Sequence, residues 1–308
     1  MAAIIQVENL SKQFRETRAV DNLSFTVNEG DIYGFLGQNG AGKSTTIRML
    51  LTLIKPTGGI INIFGKKLHT HRTEILRQTG AVIEKPDLYK YLSAYDNLSI
   101  FARMSGVHAT KQLLMDQLQM VGLHNRAKDK VRTFSQGMKQ RLGIAVALVH
   151  NPALIILDEP TNGLDPQGIA DMRNLIKKLS QEMGKTVVIS SHLLGEIELI
   201  ANRMIIINKG KKIVEGVVDD LLDPAHTVVD IETRDYKTSR NQLMQTKWVT
   251  FIQQSEKLQL MMNREQVPQL IQDLVAMGIP LLSVNASHSL ENYFLSLTSQ
   301  PYVEPFKN

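Results

Sequence analysis

Short apolar runs without polar alternation recur along much of the chain. They read IYGFL (32–36), AVI (81–83), ALIIL (153–157), TVVIS (186–190) and MIIIN (204–208). Such runs are typical of strands that are buried on both faces of a sheet. Because helical patterns separate them, they predict an α/β domain with a mostly parallel sheet.

A helix is predicted shortly after the first of these runs. Ile47, Leu50, Leu51 and Ile54 are spaced as the apolar face of a helix. Pro56 and the two glycines shortly after it are expected to end this helix, because proline cannot continue the hydrogen-bond ladder.

The apolar pattern changes twice further along the chain. Residues of about 87–150 have a helical pattern without clear strands, which indicates a helical subdomain inserted into the α/β domain. From about residue 219 onward, the strand-like segments WVTFI and LQLMM alternate with the helix-like VPQLIQDLVAMG. We therefore expect one large domain at residues 1–218 and a small α+β domain at residues 219–308.

Composition and charge narrow the function only slightly. The chain has 308 residues, of which 43% are apolar and 21% charged, as in ordinary soluble globular proteins. The absence of cysteine excludes disulfides and thiolate chemistry. The net charge of +5 is concentrated before residue 220 and suits an anionic ligand. With no signal-peptide pattern and no apolar run of membrane-spanning length, we expect the chain neither to leave the cell nor to cross a membrane by itself.

Polar side chains follow several of the predicted strands at the points where these strands end. Asp158 and Glu159 follow ALIIL, Ser191 and His192 follow TVVIS, and Glu84 follows AVI. Ligands of open α/β sheets bind at the carboxyl ends of the strands. These residues therefore predict one shared site, to which the glycine-rich loop after IYGFL also belongs.

That loop, GQNGAGKST, matches the phosphate-binding pattern G-x-x-x-x-G-K-[ST] between a predicted strand and a predicted helix. The backbone N–H groups of such a loop surround phosphates, the lysine reaches the β- and γ-phosphate oxygens, and the next hydroxyl binds Mg²⁺. The residues predicted to bind the nucleotide are Gly37, Gln38, Asn39, Gly40, Ala41, Gly42, Lys43, Ser44 and Thr45.

Two adjacent carboxylates supply the further groups that such a loop needs. Asp158 ends a buried strand, and we expect it to hold Mg²⁺ together with Ser44. Glu159 is the candidate base for a water molecule that attacks the γ-phosphate. A nearby dication removes the repulsion between the two carboxylates.

The stretch TFSQGMKQRLGIAVAL at 133–148 distinguishes among the kinases, GTPases and motor ATPases that share this loop. Its FSQGM segment opens a predicted helix ahead of the acidic pair, and it resembles the LSGGQ signature of the ATP-binding cassette (ABC) family. Three of the five positions differ, but Ser135 and Gly137 are retained, so that a hydroxyl and a bare backbone face an anion at a helix N-terminus. The signature residues predicted to contact the ATP of a partner subunit are Ser135, Gln136, Gly137 and Met138.

Other elements of the ABC family follow in order along residues 4–218. Phe14 matches the aromatic residue that stacks on adenine, and Asp165, within NGLDP, matches a loop that crosses a dimer interface. His192 matches the switch histidine that senses the γ-phosphate. The resemblance therefore implies a P-loop NTPase fold of the ABC ATPase type, ATP and Mg²⁺ as cofactors, and Glu159, His192 and Lys43 as catalytic residues.

Glu84 departs from the general pattern of the family, which usually has glutamine in this loop. In the family this loop contacts Mg²⁺ or the attacking water and also the membrane partner. The resemblance therefore implies that Glu84 couples to the permease and is a further metal ligand. Glu84, the GMKQR form of the signature and the C-terminal SLENYFLSLT (289–298) resemble one branch, the bacitracin-resistance and lantibiotic self-immunity exporters. The small C-terminal domain is interpreted as a packing or dimer-supporting appendage, with a ligand sensor as the alternative.

The resemblance implies a subunit that hydrolyses ATP to power a separate integral membrane permease, which exports or removes a peptide antibiotic of the bacitracin or lantibiotic type. Because only one cassette is present, we expect ATP to be bound between two copies of the chain, or between one copy and another cassette subunit. The expected location is cytoplasmic and peripheral, on the inner face of the cell membrane through the permease. No nucleic acid partner is expected.

Three alternative functions are disfavoured by the sequence. Soluble ABC-type ATPases acting on DNA or the ribosome tend to carry two cassettes or long coiled coils, and neither is found. A P-loop kinase or GTPase should lack the signature, and the NKGK segment at 208–211 fails the N-K-x-D pattern of a GTPase. A regulatory module with an inactive site is disfavoured by Lys43, Asp158, Glu159 and His192.

Overall fold

The computed structural model describes residues 2–221, 227–253 and 257–288. The chain divides into two compact units, one ending at Val217 and the other beginning at Val218. Among the described residues, no helix has the length and apolar character that crossing a bilayer requires.

The first unit contains most of the helices and strands, which are numbered here in chain order. They are β1 (Ala3–Phe14), β2 (Thr17–Asn28), β3 (Ile32–Leu36), α1 (Lys43–Leu50), β4 (Gly58–Ile63), β5 (Lys66–Lys67), α2 (Arg72–Arg77), β6 (Thr79–Val82), α3 (Ala94–Met104), α4 (Lys111–Met120), α5 (Gln136–Leu148), β7 (Leu154–Leu157), α6 (Pro166–Gln181), β8 (Thr186–Ser191), α7 (Leu194–Glu198), β9 (Arg203–Asn208) and β10 (Lys211–Val217).

A six-stranded sheet in the order β10-β9-β3-β8-β7-β6 forms the centre of this unit. Its strands are parallel except for β10, which pairs antiparallel with β9. Every residue of β3, β7 and β8 is buried, because helices and the second sheet cover both faces. The predicted α/β fold with a mostly parallel sheet is confirmed, and the carboxyl ends of β3, β6, β7 and β8 lie at one edge.

A second, antiparallel sheet in the order β2-β1-β4-β5 was not predicted from the apolar pattern. The pairing of β1 with β2 is interrupted by register shifts, and Asn9 and Asn22 have left-handed backbone angles of 52° and 53°. Such bulges interrupt the period-two alternation by which half-buried strands are recognised.

The first helix is shorter than predicted. The apolar spacing extends to Ile54, but α1 ends at Leu50, because Thr52 has a left-handed backbone (φ 60°) that no helix can contain. Ile54 still packs against the core from the loop that follows. The helical pattern of residues 87–150 is observed as α3, α4 and α5.

In its described residues, the second unit is an antiparallel three-stranded sheet with helices in the connections between strands. Its described elements are α8 (Val218–Leu221), β11 (Thr227–Thr233), α9 (Tyr236–Met244), β12 (Leu258–Met262), α10 (Val267–Ala276) and β13 (Leu281–His288). The strand order is β12-β11-β13. The segment SLENYFLSLT (289–298) lies outside the described residues.

The expectation that WVTFI forms a strand is wrong. Residues Lys247–Phe251 form a 3₁₀ helix that is capped by the Thr246 hydroxyl, which accepts a hydrogen bond from the Trp248 N–H at 3.2 Å. Trp248 is buried, and its Nε1–H donates to Asp273 at 2.9 Å. The apolar residues of this segment pack Trp248 into the core from a 3₁₀ helix, so their high β-propensity did not indicate a strand.

Candidate functional site

The glycine-rich loop between β3 and α1 depends on glycines that no other residue could replace without strain. Gly40 and Gly42 have φ angles of 82° and 106°. A Cβ atom at Gly42 would lie 2.5 Å from the Ala19 carbonyl oxygen, and one at Gly37 would lie 2.6 Å from that of Ile207. The loop therefore passes close to neighbouring backbone and turns directly into α1, as a phosphate-binding loop must.

Lys43, the first residue of α1, is nearly fully buried at the inner side of this loop. Its Nζ donates to the carbonyl oxygens of Gly37 at 2.7 Å and Gln38 at 3.3 Å, and it forms an ion pair with Glu159 Oε1 at 3.1 Å. A lysine held by loop carbonyls is positioned to meet any anion that enters the loop.

Asp158, directly after β7, is 1% exposed and has one satisfied and one unsatisfied carboxylate oxygen. Oδ1 accepts hydrogen bonds from the hydroxyls of Ser190 at 2.6 Å and Ser44 at 3.2 Å. Oδ2 is buried and has no hydrogen-bond partner among the described residues. Because a buried carboxylate oxygen without a partner is costly, Asp158 and Ser44 fit a hard cation such as Mg²⁺.

Glu159 connects the lysine to the predicted switch histidine. Its Oε1 faces Lys43, while its Oε2 lies 2.7 Å from Nδ1 of His192. Its backbone is left-handed (φ 50°), and its N–H donates to the Ser190 hydroxyl at 2.9 Å. The structure therefore brings together five predicted site residues that follow three different strands in the sequence, namely Lys43, Ser44, Asp158, Glu159 and His192.

Two residues of the site were not singled out from the sequence. Ser190 bridges the backbone of Glu159 and the carboxylate of Asp158. Glu196, on α7, accepts hydrogen bonds from the hydroxyls of Thr161 and Ser191. Serines are common at strand ends, so residue type alone did not indicate the role of Ser190. The only signal in the sequence was its position directly before Ser191 and His192.

Among the described residues, Glu84 forms no hydrogen bond or ion pair with the site residues that follow β7. Its side chain is 64% exposed and forms an ion pair with Arg48 of α1. Its backbone is left-handed (φ 56°), which is uncommon for glutamate. Its role as a metal ligand stays a prediction, and the pairing with Arg48 was not foreseen.

The signature residues lie at the N-terminus of α5 and contact the NGLDP loop. Ser135 is exposed and caps the helix, since its hydroxyl accepts a hydrogen bond from the Met138 N–H at 3.3 Å. Gln136 Nε2 donates to the Asn162 carbonyl at 3.1 Å. Asp165 caps α6 by accepting from the Gly168 N–H at 3.3 Å. Ser135, with the N–H groups of its helix, is open to a ligand from outside.

Phe14 ends β1 at the tight turn into β2 and is 43% exposed. The Nζ atom of Lys12 lies 4.8 Å from the centroid of its ring. An exposed aromatic face beside a cation is suited to stacking on a flat, electron-rich base.

Comparisons with known proteins identify the family to which the chain is similar. A family model described as ABC transporter matches residues 20–162. The bacitracin transport ATP-binding protein BcrA of Bacillus licheniformis is 43% identical over 301 residues, which cover 96% of this chain and 98% of that protein. The lantibiotic transport ATP-binding protein SrtF of Streptococcus pyogenes is 43% identical over 216 residues, which cover 70% of this chain and 92% of that protein.

The fold is also similar to that of solved ATP-binding cassettes. A dimeric cassette in a post-hydrolysis state, bound to ADP and Pi, is 29% identical with a TM-score of 0.63, and the match covers 70% of this chain and 98% of that one. The similarity to the Bacillus licheniformis protein extends into the second unit. Nothing in these relatives supports the alternative of an ATPase that acts on DNA or the ribosome.

Proposed function

The chain belongs to the ABC transporter family as an ATP-binding subunit with the ATPase cassette fold, and we propose that its ATP hydrolysis drives a separate membrane permease that exports or removes a peptide antibiotic. The observation that carries the hydrolytic part is the contact of Glu159 with both Lys43 and His192 beside the unpartnered oxygen of Asp158. The antibiotic is inferred from the bacitracin and lantibiotic relatives, because the permease, which selects the substrate, is another chain.

Lys43 supplies positive charge for the phosphates of ATP. In the structure its Nζ is held by two carbonyl oxygens and by Glu159. Charged phosphate oxygens are stronger acceptors than carbonyls, and the several negative charges of ATP exceed the single charge of Glu159, so Lys43 exchanges these partners when ATP enters the loop. Ser44 and Asp158 would hold Mg²⁺, which neutralises part of the phosphate charge when it is bound.

Glu159 accepts the proton of the attacking water. While Lys43 is paired with it, the Oε1 atom of this carboxylate is occupied by the ammonium group and is not free to accept a proton from water. ATP that draws Lys43 away frees this oxygen for the water. His192 holds the other oxygen at 2.7 Å and so fixes the direction of the carboxylate.

Purified protein with ATP and Mg²⁺ is expected to release phosphate, and the release is expected to stop when EDTA replaces Mg²⁺. The assay is run both with the protein alone and with membranes that contain its permease. Absence of phosphate release in both preparations would contradict an ATPase.

The second half of the ATP site comes from another copy of the chain or from a second cassette subunit. Ser135 and Gly137 stand at the exposed N-terminus of α5, where helix N–H groups attract an anion. We propose that these residues contact the γ-phosphate bound to the loop of the partner. ATP binding then closes the dimer, and hydrolysis opens it.

Replacing Ser135 with alanine is expected to lower the rate of ATP hydrolysis roughly 10-fold, because one hydrogen bond to a charged group is lost. Loss of the helix cap alone destabilises the chain by about 1 kcal/mol. Ser93→Ala is the matched control, because Ser93 caps α3 in the same way but is not a signature residue. Equal rates in the two variants would contradict the contact, whereas Ser135→Thr, which keeps the hydroxyl, should retain most activity.

Glu84 and the segment after it are proposed to couple the nucleotide site to the permease at the inner face of the membrane. Glu84 is tied to α1, the helix of the phosphate loop, through Arg48. Tyr89 and Tyr91 follow it and are 50% and 80% exposed. Exposed aromatic side chains beside a charged group are typical of a surface that binds another protein.

Glu84→Gln is expected to lower permease-dependent antibiotic resistance of cells roughly 10-fold, since a charged partner of Arg48 and of the permease becomes neutral. Glu74→Gln is the matched control, because Glu74 is also an exposed carboxylate in an ion pair, with Lys66. Resistance is measured together with the ATPase rate. If both stay at the wild-type level in Glu84→Gln, the coupling role is wrong.

A further inference from the structure

A cavity of about 470 Å³ lies outside the nucleotide site, where the end of α1 meets the hairpin of β4 and β5. Its floor is apolar and includes Met49, Ile54, Pro56, Ile61 and Leu68. Met49, Ile61 and Leu68 are buried members of the core, so this floor is rigid. The volume and the apolar lining are typical of small-molecule sites.

The rim of this cavity is positively charged. It is formed by Lys55, Lys67 and Arg72, and none of the lining residues is acidic. Within the described part of the chain, none of these three cations forms an ion pair with a carboxylate. The Nε–H of Arg72 donates to the Thr52 hydroxyl at 2.6 Å, which fixes its guanidinium at the mouth. Three uncompensated cations around an apolar floor are complementary to a molecule with one apolar and one anionic end.

We propose that this cavity binds a small anionic amphiphile, a free molecule that carries one carboxylate or phosphate on an apolar chain. The apolar chain covers the floor and is removed from water there. The anionic group meets the cations of the rim, where lysine and arginine stems can lie along the ligand while their charged ends stay in water. Because Met49 lies on α1, the ligand occupies the end of that helix opposite to the phosphate loop.

The test uses decanoate as the probe, below its micelle concentration, with full-length protein carrying ¹³C-labelled methionine methyl groups. A saturable chemical-shift change is expected at the Met49 methyl group and not at that of Met172, which is buried on α6. Decyltrimethylammonium and decanol have the same chain without the negative charge, and acetate has the charge without the chain. Each of the three should bind at least about 10-fold more weakly than decanoate, as expected for the loss of roughly 1.4 kcal/mol of charge-assisted or apolar interaction.

A rim variant separates charge recognition from unspecific adsorption. Lys67→Gln combined with Arg72→Gln is expected to weaken decanoate binding at least about 10-fold, whereas Lys128→Gln, an exposed lysine outside the cavity, should leave it unchanged. Binding should also weaken with added salt. The site does not exist as described if the Met49 signal does not saturate, or if decyltrimethylammonium binds as tightly as decanoate. It is likewise overturned if the signal changes only with vesicles of anionic lipid, which would indicate a membrane contact.

Discussion

Replacing Glu159 with glutamine is expected to lower the rate of phosphate release by about 100-fold or more while ATP still binds. The amide has nearly the same shape, but it cannot accept a proton from the attacking water. Its oxygen can still accept a hydrogen bond from Lys43 or His192, which contact the two carboxylate oxygens in the wild type. The phosphate loop therefore keeps its geometry, and ATP-bound dimers should accumulate.

Glu182→Gln is the matched control for this variant, because it removes the same charge at the exposed end of α6. The rate of phosphate release and the affinity for a fluorescent ATP analogue are measured for both variants. Hydrolysis by Glu159→Gln within a few-fold of the wild type would show that another group is the base.

Replacing Lys43 with methionine is expected to lower the affinity for ATP on the order of 10- to 100-fold, because a charge-assisted contact with the phosphates contributes about 1.5–3 kcal/mol. Hydrolysis should fall further, since the charge that develops on the phosphates loses its cation. The change also removes the Lys43 partner of Glu159, which destabilises the folded state for a reason unrelated to ATP.

Lys185→Met controls for that loss of stability. Lys185 is also a buried lysine of the first unit, with Nζ 2.7 Å from Asn151 Oδ1, and burial lowers its pKa. For both variants, thermal unfolding is measured without and with ATP, and the affinity for ATP is measured separately. If Lys43→Met binds ATP as the wild type does, Lys43 is not a phosphate contact.

The central sheet could be predicted from the sequence because several of its strands are formed by apolar runs without polar alternation. The runs at β3, β7 and β8 are buried on both faces, and continuous apolar segments of that length between glycine-rich and acidic turns have few alternative structures. The antiparallel sheet of β1, β2, β4 and β5 could not be predicted in the same way, because bulges break its alternation.

The candidate site was predictable as a set of residues but not as a set of contacts. A sheet places the carboxyl ends of neighbouring parallel strands at one edge, so Lys43, Asp158, Glu159 and His192 had to lie close together. Which oxygen of Glu159 faces which partner depends on its left-handed backbone, and sequence does not give backbone angles.

The ion pair of Glu84 with Arg48 is another contact that could not be predicted from the sequence. Arg48 was only a polar position on a predicted helix, and nothing in its spacing relates it to a loop 36 residues further on. The 3₁₀ turn at Trp248 could not be distinguished from a strand either, because short β-branched and aromatic segments fit both.

Co-purification from membranes of the native host tests most directly whether this ATPase drives a permease. The tagged chain is solubilised with detergent, and the proteins recovered with it are identified and quantified. We expect an integral membrane protein with several spans in stoichiometric amount, and we expect Glu84→Gln to lower its recovery relative to Glu74→Gln. Recovery of the chain with ribosomes or DNA and without any membrane protein would contradict the transport function.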